Sequence, residues 1–489
     1  MTSRMTPFAL MEKLISFPTV SRDTNIPLID WVADYLDSHG IASHRYIDPG
    51  QPKHALFAHV GPLEEGAVVL SGHTDVVPVD GQPWDSDPFS VVEREGRYYG
   101  RGTCDMKGFD ALAIWALVEA KYAGVKRPLQ IALSFDEEIG CTGAPPMIRA
   151  MQSVLPQGAM VIVGEPSNLQ AVTGHKGGIG FNTHVVGFEV HSSLLHTGVN
   201  AIMAGAKLIE WANETNTQNM ARKPTDLAAM FDPPFTTAHV GVISGGTAHN
   251  ITAKDCYFAM DFRVVPGEDK HAWGNAYFEK VREVEKQMQE VVPETYIEVT
   301  PRFDVPALEP EKDGLAESLV RQITGDNASH KVSYGTEAGQ FQEAGYSAVI
   351  CGPGDIAQAH QPNEYIEVSQ FEAGHSFMRD LITRLFLARD GYKVALLEKG
   401  RVAAEQSSRN WGWIRQQGRD PDEMPIMSEA QRLWRELATQ TNVDIGLRQG
   451  GITYFANKAS QLADYEEWLP HARANGVDSK ILSQAEVAA

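Results

Sequence analysis

Five short stretches of this chain carry side chains that bind metals: SGHTD, GTCDMKG, FDEEIG, GEPS and QAHQPNE, with His73, Asp105, Glu138, Glu165 and His360. Imidazole and carboxylate are the donors of zinc sites, and a catalytic site keeps one position open for water. One aspartate shared between two ions, with a histidine and a carboxylate on each, would make a two-metal site suited to hydrolysis. Asp75 stands two residues after His73, where it could accept a hydrogen bond from the imidazole and fix its tautomer. Asp136, Glu137 and Glu138 follow one another at the end of the apolar run IALSF. Acidic clusters at strand ends also form ordinary solvated turns. The glycines that flank several of these residues, where backbone must approach closely, favour a site.

The elements that must position these residues are legible as alternating strands and helices. HALFAHVG and GAVVLSGHTDVVP each contain a strand, LQIALSFDEE and GAMVIVGEP are further buried strands, and KGFDALAIWALVEAKYAG is a helix. This alternation predicts an α/β fold, a mostly parallel sheet flanked by helices. Ligands gather beyond the carboxyl ends of such strands, and His73, Asp136 to Glu138 and Glu165 fall there. After GHKGG the pattern changes to strand, helix, two strands, helix, strand, ending at TYIEVTPRF. That order predicts an inserted ferredoxin-like α+β domain over 179–304. The first domain would then occupy 1–178 and 305–385, closing on the helix SQFEAGHSFMRDLITRL.

Formal net charge is −21, which argues against a nucleic-acid partner and against adhesion to anionic membranes. No stretch has the length of a membrane span, and the amino-terminal segment has no secretory pattern. Cys104, Cys141, Cys256 and Cys351 form no CxxC pair, as expected of free thiols in a reducing compartment. These features predict a cytoplasmic protein.

SGHTDVVPVDGQPWDSDPF, YGRGTCDMKGF, SFDEEIGCTGA, VGEPS, GHKGG, HSSLLHTGVNAI, GGTAHNI, DFRVVPGED, GTEAG and GPGDIAQAHQPNEYI occur in this order. Over about residues 5–385 the chain thereby resembles the co-catalytic zinc aminoacylase and carboxypeptidase family. Within that family it is most similar to the branch that deacetylates N-acetylornithine in arginine biosynthesis. The resemblance implies a homodimeric hydrolase of small N-acyl amino acids holding two Zn2+, with Co2+ as a substitute. N-succinyl-diaminopimelate, another N-acyl amino acid or a dipeptide is the alternative substrate. It further implies that His73 and Glu165 hold one ion and Glu138 and His360 the other, with Asp105 bridging. Glu137 would be the general base, with Asp75 counted among the catalytic residues through His73, and Asp136 would only shape the turn. His191 would donate a hydrogen bond into the partner subunit's site, through dimerisation of the inserted domain. Asn250 and Arg263 would bind the substrate carboxylate; Glu337 would orient substrate or structure. Two departures touch no ligand: ITAKD lacks a proline usual in the family, and HSSLLHTGVN has leucine in place of one.

Residues 386–489 do not continue that pattern. FLARDGYKVALLEKG and SSRNWGWIR resemble flavin-dependent amino-acid oxidases, with Val394–Leu397 as a strand and Glu398 placed to meet a ribose. No G-x-G-x-x-G turn precedes them, so the segment reads as a truncated fragment. FAD binding and an oxidoreductase activity are not expected. The tail is expected to pack poorly or be partly disordered.

Overall fold

The computed structural model describes residues 4–387, 421–440, 454, 456, 458–483 and 486. The chain divides into two compact units, Met1–Leu397 and Glu398–Ala489. The expected strand Val394–Leu397, Glu398 and the SSRNWGWIR loop lie outside the described residues.

The first unit holds an eight-stranded sheet. Its centre is parallel: Leu129–Ser134, Ala67–His73, Gly158–Pro166 and Ser347–Gly352 lie side by side. Ser43–Ile47 and His54–Val60 add antiparallel partners at one edge, and Val172–His175 and His330–Val332 extend the other. The sheet is therefore mixed, with its parallel strands in the middle. Those strands are apolar on both faces because helices cover both. Leu70, Ile131 and Ile162 pack with the helix Lys107–Ala123, whereas Val69, Ala132 and Val161 pack with the helix Ala144–Val154. Lys107–Ala123 ends where sequence indicates, at Gly124 in the left-handed conformation. Pro7–Ile15 begins at Thr6, whose hydroxyl accepts from the Ala9 N–H at 3.2 Å.

A second, antiparallel sheet of five strands follows. Thr237–His239, Asp255–Val264, Gly177–Val186 and Tyr296–Val305 lie in that spatial order, and Ile243–Gly245 pairs with Asp255–Val264. The helices Ala201–Ala221 and Lys270–Gln289 pack against it through Leu208, Tyr277 and Val281. This is the split β-α-β-β-α-β arrangement. The first of the two middle strands expected in that order is divided: TTAHVGVISGG forms two short strands. Their separate pairings are both to Asp255–Val264, around Phe262 and around Tyr257.

In the second unit the described residues form the helices Met424–Gln440 and Ala459–Ala474. Ser428 Oγ donates to the Asn475 carbonyl at 3.0 Å.

Candidate metal centre

The parallel strands end together. His73 closes Ala67–His73 opposite Ser134, so the turns at 74–75 and 135–138 leave one edge of the sheet. Glu165 ends the neighbouring strand Gly158–Pro166. His360 follows the next strand, Ser347–Gly352, after the short helix Ile356–Gln358. Asp105 precedes the helix Lys107–Ala123, so five separate segments converge.

Asp105 lies between the two imidazoles. Its Oδ1 is 3.1 Å from His73 Nε2, and its Oδ2 is 3.2 Å from His360 Nε2. Glu165 Oε1 lies 3.8 Å from His73 Nε2, and Glu138 Oε2 lies 2.9 Å from His360 Nε2. Single donor atoms of His73, Asp105 and Glu138, and again of His73, Glu137 and Glu165, fall within 4.8 Å of one another. His360 adopts a left-handed backbone, φ 63°, and its carbonyl accepts from Gln82 Nε2 at 3.1 Å. Such conformations persist where the surroundings impose them, commonly at functional sites.

The electrostatics ask for cations. Burial, then the neighbouring Asp105, pushes the carboxyl groups of both Glu138 and Glu165 up, Glu165 well above the usual carboxylate range. Burial pushes Glu137 up to about 8, against the pull of His73 and with the help of Glu138 and Asp105. Asp105 moves the other way: burial opposes ionisation, but hydrogen bonds from His360 and His73 outweigh it. Glu165 Oε1 is buried with no hydrogen-bond partner. A buried carboxylate with an unsatisfied oxygen is costly unless an ion or donor meets it. Mixed carboxylate and imidazole donors fit divalent zinc or cobalt.

The surrounding residues divide the work. His73 Nδ1 donates to the Asp75 backbone carbonyl at 2.9 Å, while the Asp75 carboxylate is farther, at 3.6 Å. The tautomer is thus set mainly by main chain, and Nε2 is left to face the donors. The Asp75 carboxylate instead accepts from Ser21 Oγ at 2.7 Å and from the N–H groups of Glu137 and Glu138 at 3.2 and 3.4 Å. It holds the acidic turn. Asp136 pairs with the buried Lys53 at 2.8 Å, Glu138 faces His360, and Glu137 faces the cavity, where Cys141 Sγ donates to its Oε1 at 3.2 Å. All four cysteines are free and buried, but Cys141 touches the site. Glu337 is turned away: Ser71 and Ser134 donate to its two oxygens at 2.6 and 2.7 Å, and it is wholly buried.

Sequence reasoning missed Glu364. Its Oε1 accepts from the N–H groups of Gly102, Cys104 and Asp105, each at 3.0 Å, and its Oε2 from Arg101 at 2.7 Å. It anchors the loop that presents Asp105. Its position four residues after His360, inside QAHQPNE, was the available signal.

A cavity of about 370 Å³ opens beside the cluster. Glu137, Glu138 and His360 line one side, and Arg263, Arg302 and Phe303 of the antiparallel sheet line the other. Arg302 and Phe303 carry no motif. His191 and Asn250 are not among the lining residues. They lie together on the exposed surface, where the Ser192 N–H donates to the Asn250 carbonyl at 2.9 Å and His191 pairs with Ile251.

Two families match adjoining parts of the chain. Residues 69–384 match the family described as Peptidase family M20/M25/M40, and residues 381–489 match FAD dependent oxidoreductase. An acetylornithine deacetylase of Myxococcus xanthus is 35% identical over 373 residues, covering 74% of this chain and 92% of the relative. One of Proteus mirabilis is 32% identical over 387 residues, covering 78% and 96%. Among solved structures, an M20 family metallo-carboxypeptidase of Sulfolobus solfataricus aligns with TM-score 0.64 at 16% identity, covering 78% of this chain and 100% of that one. Human carnosine dipeptidase 1 aligns with TM-score 0.61 at 15% identity, covering 78% and 97%. At that identity the likeness concerns the fold.

Proposed function

The chain belongs to the M20/M25/M40 peptidase family, and from that premise we propose that it hydrolyses N-acetylornithine to ornithine and acetate, an N-acyl amino acid amidohydrolase. The observation that carries this reading is Asp105, one oxygen towards each of two imidazoles, beside a cavity lined by Glu137. His73 and Glu165 would hold one divalent cation and Glu138 and His360 the other, with Asp105 shared; zinc is the first candidate. Such a pair, when bound, lowers the pKa of water and polarises a carbonyl oxygen.

The remaining work falls to the chain. Cys141 engages Glu137 Oε1 and leaves Oε2 to accept a proton from the attacking water. Glu137 then returns that proton to the leaving nitrogen. Arg263 binds the substrate carboxylate. His191 and Asn250 serve the site of a second copy. Phe188, Leu194, Leu195 and Ile251 beside them are exposed, an apolar surface that dimerisation would cover. Residues 381–489 contain no G-x-G-x-x-G turn to cradle a dinucleotide, so flavin enters no step. Among the described residues no helix is long and apolar enough to cross a membrane.

Amine release from N-acetylornithine, with N-succinyl-diaminopimelate for comparison, tests the reading. Chelator-sensitive turnover that prefers the acetyl substrate supports it. Turnover of the succinyl substrate alone would replace the substrate and keep the chemistry; turnover that survives chelation would defeat both.

A further inference from the structure

Arg302 enters the cavity through an irregularity in its strand. Tyr296–Val305 pairs antiparallel with Gly177–Val186, Pro301 opposite Phe181 and Phe303 opposite Gly180, so Arg302 is an extra residue without a partner across the ladder. Successive side chains of a regular strand point to opposite faces. Arg302 and Phe303 nevertheless both line the cavity. A β-bulge does this, because the inserted residue bends the strand and re-aims its side chain. Pro301, with no N–H to give to a ladder, stands where the register shifts.

Phe303 locks the bulge against the acidic turn. A Cβ at Gly180 would lie 2.4 Å from Phe303 Cε1, so only glycine lets the ring lie there. On the other side, Gly140 has φ 121°, and a Cβ on it would lie 2.4 Å from Phe303 Cβ. Gly140 belongs to the turn that carries Glu137. The bulge is therefore held at a fixed place relative to the general base, and Arg302 with it.

The charges of the lining are unevenly committed. Beyond the ligand cluster and Glu137, the charged lining is Asp261, Arg263 and Arg302. Arg263 Nη2 leans on Asp261 Oδ2 at 3.4 Å, and its Cζ sits 5.8 Å from the centroid of the Phe303 ring. Arg302 makes no hydrogen bond or ion pair among the described residues. One acid against two guanidinium groups leaves one positive charge, and Arg302 is where it is free.

An N-acyl amino acid carries its carboxylate on the carbon bonded to the scissile nitrogen. We propose that Arg302 binds this α-carboxylate together with Arg263, as a substrate-binding residue of the reaction. The planar guanidinium fork matches a carboxylate, and among the described residues the Arg302 side chain has no charged partner. The inference rests on the N-acyl amino acid reading above.

Paired substrates test it: N-acetylornithine and its primary amide, in which an uncharged carboxamide replaces the carboxylate. Arg302→Ala should raise KM for N-acetylornithine roughly 10- to 100-fold with kcat little changed. On the amide, wild type and variant should have the same kcat/KM. Arg302→Lys, a point charge without the fork, should recover part of the loss. Equal losses on both substrates, or no loss on either, would overturn the inference; an unchanged thermal midpoint shows that the variant is folded. If wild type hydrolyses neither compound, the earlier reading is what fails. Calorimetric titration with the same two compounds then still decides on Arg302. Affinity that depends on the carboxylate and disappears in Arg302→Ala supports the inference. Affinity that the substitution leaves alone, or that never depended on the carboxylate, overturns it.

Discussion

The two sheets of the unit Met1–Leu397 reach the same cavity by different routes. The mixed sheet carries the ligand cluster on strand ends and the turns beyond them, with Glu138, Glu165 and His360 lining the cavity, and the buried members are almost dry. The antiparallel sheet delivers Asp261, Arg263, Arg302 and Phe303 from within its strands, and both arginines remain open to solvent. At strand ends the backbone leaves the ladder, so carboxylates and imidazoles can crowd to one point. Within strands the register decides where side chains face, and charge is spread along a wall. The first arrangement suits chemistry at a point; the second suits recognition of a substrate.

The sharpest way to break that division is Glu137→Gln. It should lower kcat by roughly 10²- to 10⁴-fold, the range of general acid–base catalysis, with the fold and KM nearly unchanged. An active Glu137→Gln enzyme would remove the base from the strand-end region. Next is Glu364→Ala. It leaves the buried Arg101 with Gln82 but without its carboxylate, and three N–H groups without an acceptor, and breaking such a pair costs about 3–5 kcal/mol. A denaturant midpoint equal to wild type would show that the Asp105 loop does not depend on this anchor.

Arg263→Ala should act on recognition instead. KM for N-acetylornithine should rise roughly 10- to 100-fold, as expected for a charge-assisted contact, with a smaller effect on kcat. A variant with an unchanged KM and a collapsed kcat would assign the antiparallel wall to chemistry, and the comparison would fail.

The same contrast explains what the sequence made legible. His73, Asp105, Glu138, Glu165 and His360 stand in short motifs because turns at strand ends need particular residues at particular positions. The strands behind them were readable because burial on both faces leaves continuous apolar runs. Arg302 was not readable, since a bulge depends on pairing with a distant strand and TPRF looks like any strand with a surface arginine. Glu364 was hidden for a related reason: its partners Arg101 to Asp105 lie far away in the chain. The Asp75 carboxylate was assigned to His73, but the backbone carbonyl of the same residue is nearer to the imidazole. Side-chain spacing alone cannot rank a carboxylate against its own main chain.

The smallest expected effect belongs to the junction between the sheets. His175 ends the strand Val172–His175 just before Gly177–Val186 begins, and its backbone exchanges hydrogen bonds with Leu308 at 3.1 Å in both directions. The imidazole is wholly buried. Nδ1 donates to the Lys176 carbonyl at 2.8 Å, and Nε2 accepts from the Gly339 N–H at 3.3 Å. Protonating Nε2 would set two donors face to face. Burial lowers this histidine from its ordinary 6.5 to about 4. A lowered folded pKa means that the unfolded chain binds the extra proton between those values, so stability rises with pH there and falls as pH drops from 6.5 towards 4. The loss from this one group is on the order of 1 kcal/mol between pH 7 and 5.5, growing towards pH 4. The raised carboxyl groups of Glu137, Glu138 and Glu165 titrate with the opposite sign, and the lowered Asp105 with the same one. The measurement is therefore the difference in unfolding free energy between wild type and His175→Gln across that range. That difference should shrink on acidification, because only wild type carries the histidine. A difference that stays constant would mean that His175 is neutral or charged alike in both states, and that the junction is open to water rather than sealed between the two sheets.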